Sequence, residues 1–218
     1  MNTAPDRVSQ TLLCAGMLLI WYAITLLVNY LPNHTMLVSS GLMMPVLCVL
    51  EFAVLIPIYF WYRRHYNDIH LGKLRPRQVM VFSVLLILLL LSQTLYMQRE
   101  SWMGGQFSGD PTHSVLFALA VVLLAPVYEE ILFRGYLMQG FLLWAPGQRV
   151  ACSLMTSLAF AAIHTQYAHL QTLIALVALS LLLCAARLVS GGLKLPVFLH
   201  MFNNLLGVAP WLWLTFSS

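Results

Sequence analysis

Tyr128-Glu129-Glu130-Ile131-Leu132-Phe133-Arg134 puts two adjacent carboxylates and a guanidinium inside an apolar stretch, with Val115–Val127 before it and Leu137–Trp144 after it. A charged side chain near the bilayer centre costs about 2.5–3.5 kcal/mol on insertion scales, so charges kept there face a bundle interior and mark a functional site by default. The composition makes the bilayer the right solvent to consider. The 218 residues are 61% hydrophobic and only 8% charged, whereas soluble domains carry about 25% charged residues. The chain therefore reads as an integral membrane protein.

Seven apolar segments extend outward from this stretch: Thr11–Leu31, Gly41–Tyr62, Gln78–Met97, Ser114–Trp144, Val150–Ile163, Leu170–Val189 and Leu195–Leu214. Most reach the roughly 20 residues that a spanning helix needs. The fourth is long enough to be tilted or broken, and the fifth is short. Lipid leaves no backbone polar group unsatisfied, so the segments must be helical. The expected fold is an all-α, polytopic bundle of about seven transmembrane helices. Pro32, Pro76, Pro111, Pro146 and Pro196 mark segment ends, while Pro45, Pro57 and Pro126 fall inside segments. No repeat or low-complexity segment divides the chain. It reads as a single domain, 1–218, with motif-free N-terminal helices over 1–97 and the motif-bearing part over 114–214. Thr11–Leu31 is long for a signal-peptide core and reads as a span. Cys14, Cys48, Cys152 and Cys184 lie in apolar stretches without CxxC spacing, as small buried hydrophobes do.

Charge then orients the bundle. Arg7, Arg63, Arg64, Lys73, Arg75, Arg77, Arg149, Arg187 and Lys194 fall on one side of the alternating segments, and Arg99 alone on the other. The positive-inside rule places the N-terminus in the cytoplasm. The net charge of +4 is spread over short loops and does not point to nucleic acid.

Residues four apart on a helix share a face, with Cβ atoms about 5–6 Å apart. Glu130 and Arg134 can therefore pair, while Glu129 turns about 100° away and is free to face a cavity. This divides the acids into a clamp, Glu130–Arg134, and a base, Glu129. His164 ends the fifth segment four residues after Phe160. His200 and Asn204 share a face of the seventh. A carboxylate and a histidine can hold and deprotonate a water molecule. A histidine and an amide can donate to the oxyanion of a tetrahedral carbonyl adduct. Such a set suffices for amide hydrolysis without a covalent intermediate. The competing reading is that these polar groups only hold the helices together through interhelical hydrogen bonds. HExxH and GxSxG are both absent. Asn203 points away from Asn204 and is set aside, His169 is a weak loop candidate, and Glu51 is an intramembrane acid of open role. Glu129 and His200 sit toward the inner ends of their segments, which predicts a mid-depth cavity biased to the cytoplasmic side.

At these residues the chain resembles the CPBP (Abi) family of intramembrane proteases, which includes CAAX prenyl endopeptidases and bacteriocin-processing or self-immunity proteins. The family pattern of EExxxR, FxxxH and HxxxN or HxxxD is matched in order by Glu129-Glu130-x-x-x-Arg134, Phe160-x-x-x-His164 and His200-x-x-x-Asn204. The resemblance covers roughly Ser114 to Leu214. It implies that Glu129 activates water with His164, that His200 and Asn204 form the oxyanion hole, that Glu130 and Arg134 orient the site, and that Phe160 packs beside it. It further implies a glutamate-type endopeptidase without cofactor, zinc being the alternative, acting on a membrane-associated protein or peptide. The expected setting is the bacterial inner membrane. A non-catalytic immunity or scaffold protein, or a proton-coupled carrier using Glu51 and Glu129, are the other classes to separate by experiment.

Overall fold

The computed structural model describes residues 7–66, 69–98, 100–107 and 110–217, and all their side chains except those of 103–105. Arg99, the single basic residue counted on the outer side, lies outside the described residues. The described residues form the helices α1 (Arg7–Leu27), α2 (His34–Ser39), α3 (Met43–Tyr66), α4 (Pro76–Gln93), α5 (Ser101–Gln106), α6 (Pro111–Trp144), α7 (Arg149–Ile163), α8 (Leu170–Ser190) and α9 (Lys194–Ser217). Six are long and apolar enough to cross a membrane, and α7 is a shorter apolar helix of 15 residues. The protein is an all-helical membrane bundle.

Local chemistry sets the boundaries. Asp110 caps α6, its Oδ1 accepting the Thr112 amide at 2.8 Å, and Pro111 follows at the first helical position. Gly191 closes α8 in the left-handed conformation at φ 69°. Two expectations shift. Pro45 lies in the first turn of α3, where its missing N–H has no intrahelical partner to lose, and not deep inside a span. The third span stops at Gln93, short of Met97; the Ser92 and Thr94 hydroxyls bond back to the Leu89 and Leu91 carbonyls, and turns follow.

α6 is the axis of the bundle. Its 34 residues would reach about 51 Å as a regular helix, well beyond the roughly 30 Å hydrocarbon core. Two stretches of wider π-type turns, Ala120–Leu124 and Ile131–Leu137, interrupt it. Such turns concentrate at functional sites. From Glu130 to Tyr136 every residue is buried. α1 and α3 pack on one flank through Cys14, Met17, Cys48, Leu55, Tyr59 and Tyr62. α4, α8 and α9 form a second cluster around Leu86, Leu183 and Leu199. Leucines such as Leu19, Leu88 and Leu91 stay exposed, the face a bundle turns to lipid. All four cysteines are buried, and none is in a disulfide.

The two ends of the bundle differ. At one end the 69–72 and 191–194 loops pair, with Leu193 N–H donating to the His70 carbonyl at 3.1 Å and Lys194 N–H to Leu71 at 2.8 Å. The backbones approach so closely that a Cβ on Gly192 would lie 2.2 Å from the Gly72 nitrogen, and Gly72 itself sits at φ 69°. Both glycines are needed there. Trp144 Nε1 donates to Thr11 Oγ1 at 2.9 Å at this same end. At the opposite end Glu100 caps α8. It accepts Thr172 Oγ1 at 2.7 Å and the Ala168 and His169 amides at 3.1 and 3.3 Å. Burial raises the Glu100 carboxyl, but these bonds and the nearby His169 outweigh it and hold the group below its ordinary value.

Candidate active site

The wide turns of α6 shape the site. Ala125 N–H donates to the Ala120 carbonyl, five residues back. In that register the next donor would reach Val121, but residue 126 is proline and has no N–H. The Val121 carbonyl is thus released, and Asn204 Nδ2 on α9 donates to it at 2.8 Å. Asn203 Nδ2 donates in turn to Asn204 Oδ1 at 3.0 Å, which fixes the Asn204 amide at both atoms.

One turn further along α6, Glu130 is fully buried, and its Oε1 accepts Arg134 Nη1 at 2.9 Å and faces His200 Nδ1 at 2.8 Å. Arg134, also fully buried, sends Nη2 to Ser180 Oγ at 2.7 Å and to the Ser180 carbonyl at 3.2 Å on α8. Its guanidinium lies over the Phe160 ring, 4.7 Å from the centroid, a favourable cation–π position. The network joins α6, α8 and α9 and rests on α7. An ionised carboxylate only accepts, so the Glu130 contact assigns a proton to His200 Nδ1. Its Nε2 then faces Glu129 Oε2 at 3.8 Å. By the same reasoning His164 Nδ1, 2.6 Å from the Phe160 carbonyl, carries a proton, which leaves Nε2 as the acceptor of the neutral ring.

Glu129, Phe160, His164, His200 and Asn204 line one cavity of about 180 Å³. Glu130 and Arg134 lie behind its wall. Glu129 Oε2 is buried and makes no hydrogen bond within the chain. Asn203 also lines the cavity, contrary to the expectation that it points elsewhere; its neighbour in sequence was the available signal. Trp102, Gln166 and Tyr167 contribute to the lining too, and Ser180 anchors Arg134. None of these carries a motif. Met44 at the start of α3 completes one wall.

The cavity extends away from the end of the bundle that carries the basic loops, whereas a bias toward that end was expected. On α6 its lining residues are Phe117, Val121, Ala125 and Glu129, one face of the half that precedes Glu129. On the antiparallel α9 they begin at His200 and run on to Val208. Both sets lead away from the basic loops. The positions of Glu129 and His200 within their helices misled because each is the innermost lining residue of its own helix.

A zinc ion would need at least three convergent donors. Among the described residues no group of three His, Cys, Asp or Glu side chains is placed to hold a metal ion. Two of the nearest donors, Glu130 Oε1 and His200 Nδ1, are already engaged with each other.

A buried carboxylate–arginine–histidine network thus lies beside a small cavity in a helical membrane bundle. Residues 111–206 match the family described as type II CAAX prenyl endopeptidase Rce1-like, which is a CPBP family. Over 120 residues the chain is 38% identical to an uncharacterised 24.3 kDa protein of Escherichia coli. That alignment covers 55% of this chain and 55% of the relative, so the chain spans about half the length of the curated relative it matches. No solved structure matches.

Proposed function

We propose that the protein is an intramembrane endopeptidase of glutamate type, hydrolysing a peptide bond in a membrane-associated protein or peptide. The observation that carries this reading is the convergence of Glu129, His164, His200 and Asn204 from three helices on one cavity, with Glu130 held outside it. A volume of about 180 Å³ holds several waters at roughly 30 Å³ each. Glu129 takes a proton from one of them, and His164 Nε2 accepts that water's second hydrogen. The oxygen adds to the carbonyl carbon. With a proton on each ring nitrogen, His200 donates Nε2–H to the oxyanion alongside the second Asn204 N–H, each donor worth about 10²–10³ in rate. Collapse breaks the C–N bond, and the proton on Glu129 passes to the leaving amine. Glu130 keeps the His200 ring oriented and balances its charge as it donates, and Arg134 pairs with Glu130 in a dry setting. The reaction needs no metal. The proposed setting is the bacterial inner membrane, and the basic loops support a cytoplasmic N-terminus.

The test compares wild type, Glu129→Gln and His200→Ala against prenylated and unprenylated fluorogenic peptides in proteoliposomes, with and without chelator. Glu129→Gln is expected to lose at least about 10²-fold in turnover while melting like wild type, in line with removal of a general base. Chelator is expected to change nothing. Loss of activity on chelation would refute the metal-free mechanism. A Glu129→Gln variant that unfolds while wild type cleaves no peptide would favour the scaffold reading.

A further inference from the structure

We propose that the cavity receives its substrate from the extracytoplasmic side of the membrane, and that the cleaved bond belongs to a polypeptide segment exposed on that face and tethered by an apolar stretch. The choice of substrate rests on the protease reading above; the side of opening does not.

Three observations carry the inference. First, the basic residues gather at one end of the bundle. Arg63, Arg64, Lys73, Arg75, Arg77, Arg149 and Lys194 lie there, and the pairing of His70 and Leu71 with Leu193 and Lys194 ties the 69–72 and 191–194 loops together. Such a cluster marks the cytoplasmic face. Secondly, that end is sealed. α6 beyond Glu129 contributes nothing to the cavity, and Tyr62, Ile69, Tyr136 and Leu193 pack beneath the Glu130–Arg134 pair with 1% exposure or less. Gly135 lies directly against Ile69 and Leu193. Thirdly, the lining leads to the other end. It ends at Trp102 in α5 and at Gln166 and Tyr167 in the α7–α8 loop, where Gln166 is exposed.

At this open end the site broadens into a second chamber of about 420 Å³ between α4, α8 and α9. Tyr167, Leu176, Leu179, Asn203 and Gly207 line both spaces. The space beside Gly207 at this junction is open, since an added Cβ there would meet nothing within 4 Å. The chamber is walled by Leu90, Leu214 and Trp211 in its apolar part and by Gln93 and Glu100 toward the aqueous end. A shallower apolar recess between α4 and α9, lined by Ile87, Leu91 and Leu206, adjoins it at Leu90 and Gly207 on the lipid face. An apolar stretch can therefore lie between α4 and α9 while the adjoining polar backbone reaches Glu129.

The side of opening is tested in an expressing bacterium with single added cysteines, the native four being buried. Gln166→Cys is placed at the mouth and Lys73→Cys in a basic loop. A membrane-impermeant maleimide is applied to spheroplasts and to inverted vesicles. Gln166→Cys is expected to label at least several-fold more in spheroplasts, and Lys73→Cys the reverse. Reaction of Gln166→Cys only in inverted vesicles, or only after solubilisation, would overturn the proposal. In parallel, two reporters carry the same apolar anchor with the cleavable segment on either side of the membrane. Cleavage confined to the extracytoplasmic segment is expected, and cleavage confined to the cytoplasmic one would overturn it. If neither is cut, the protease reading and with it the substrate named here are refuted, while the labelling still decides the side.

Discussion

Replacing Arg134 by alanine is the most informative perturbation of the buried network. The guanidinium is fully buried and makes three hydrogen bonds, at 2.9 Å to Glu130 and at 2.7 and 3.2 Å to Ser180. Its loss leaves the buried Glu130 carboxylate with His200 alone. Removing one partner of a buried ion pair costs about 3–5 kcal/mol. For a chain of this size each kcal/mol lowers the melting temperature by about 2–4 °C, so the fall should be about 6–20 °C. Most of that cost is the stranded charge, so neutralising it should return stability. Arg134→Met combined with Glu130→Gln is therefore expected to regain at least half of the loss, because a buried pair replaced as a whole is often close to neutral. Thermal unfolding of the purified protein in one detergent, at fixed lipid content, measures both variants. A fall of under about 2 °C for Arg134→Ala, or a double variant no more stable than the single one, would refute the view that this pair holds α6 to α8 and α9.

Two further outcomes are expected. Glu100 has a depressed folded-state pKa, so its contribution to stability is full above the ordinary carboxylate value of 4.5 and is lost as pH falls through the lower folded value. The melting-temperature gap between wild type and Glu100→Gln should accordingly be open at pH 7 and close on acidification below 4.5; a gap independent of pH would contradict the capping role. Pro126→Ala restores an N–H that can reach the Val121 carbonyl, now held by Asn204. This variant should lower activity about tenfold or more at near-wild-type stability, as loss of a positioned oxyanion donor does, and unchanged turnover would show that Asn204 is not oriented through Val121.

How far the site is legible in the chain depends on the range over which each feature is determined. The Glu130–Arg134 pair follows from helical spacing alone, because both partners sit on one helix and the offset of four is a local property. The spans are legible because lipid leaves the backbone no alternative to helix. What escapes is set by helices meeting at a register that only packing decides. His200 Nδ1 facing Glu130 across 70 residues, and Arg134 reaching Ser180 across 46, have no local trace. Asn203 was set aside on a regular-helix argument about neighbouring residues, yet its side chain bends to Asn204 and so enters the same cavity.

The wide turns of α6 show why motif spacing and mechanism need not be read at the same resolution. Pro126 is visible in sequence as a helix-internal proline, but the carbonyl it releases depends on whether the local register is four or five residues. With five, the freed group is Val121, on the same face as Glu129 and opposite Asn204. The irregularity thus does two things at once. It supplies the acceptor that orients one candidate oxyanion donor, and it places that donor across the cavity from the candidate base. A regular α-helix through 120–137 would keep the EExxxR spacing and still lack the arrangement. The capping of α8 is a parallel case: the helix begins after His169 with no side-chain cap of its own, and its acceptor, Glu100, comes from 69 residues upstream. That long-range cap fixes the 164–169 loop, which carries His164 and Tyr167 into the cavity. The site's geometry therefore depends on polar contacts outside every motif, at the end of the bundle where the cavity opens.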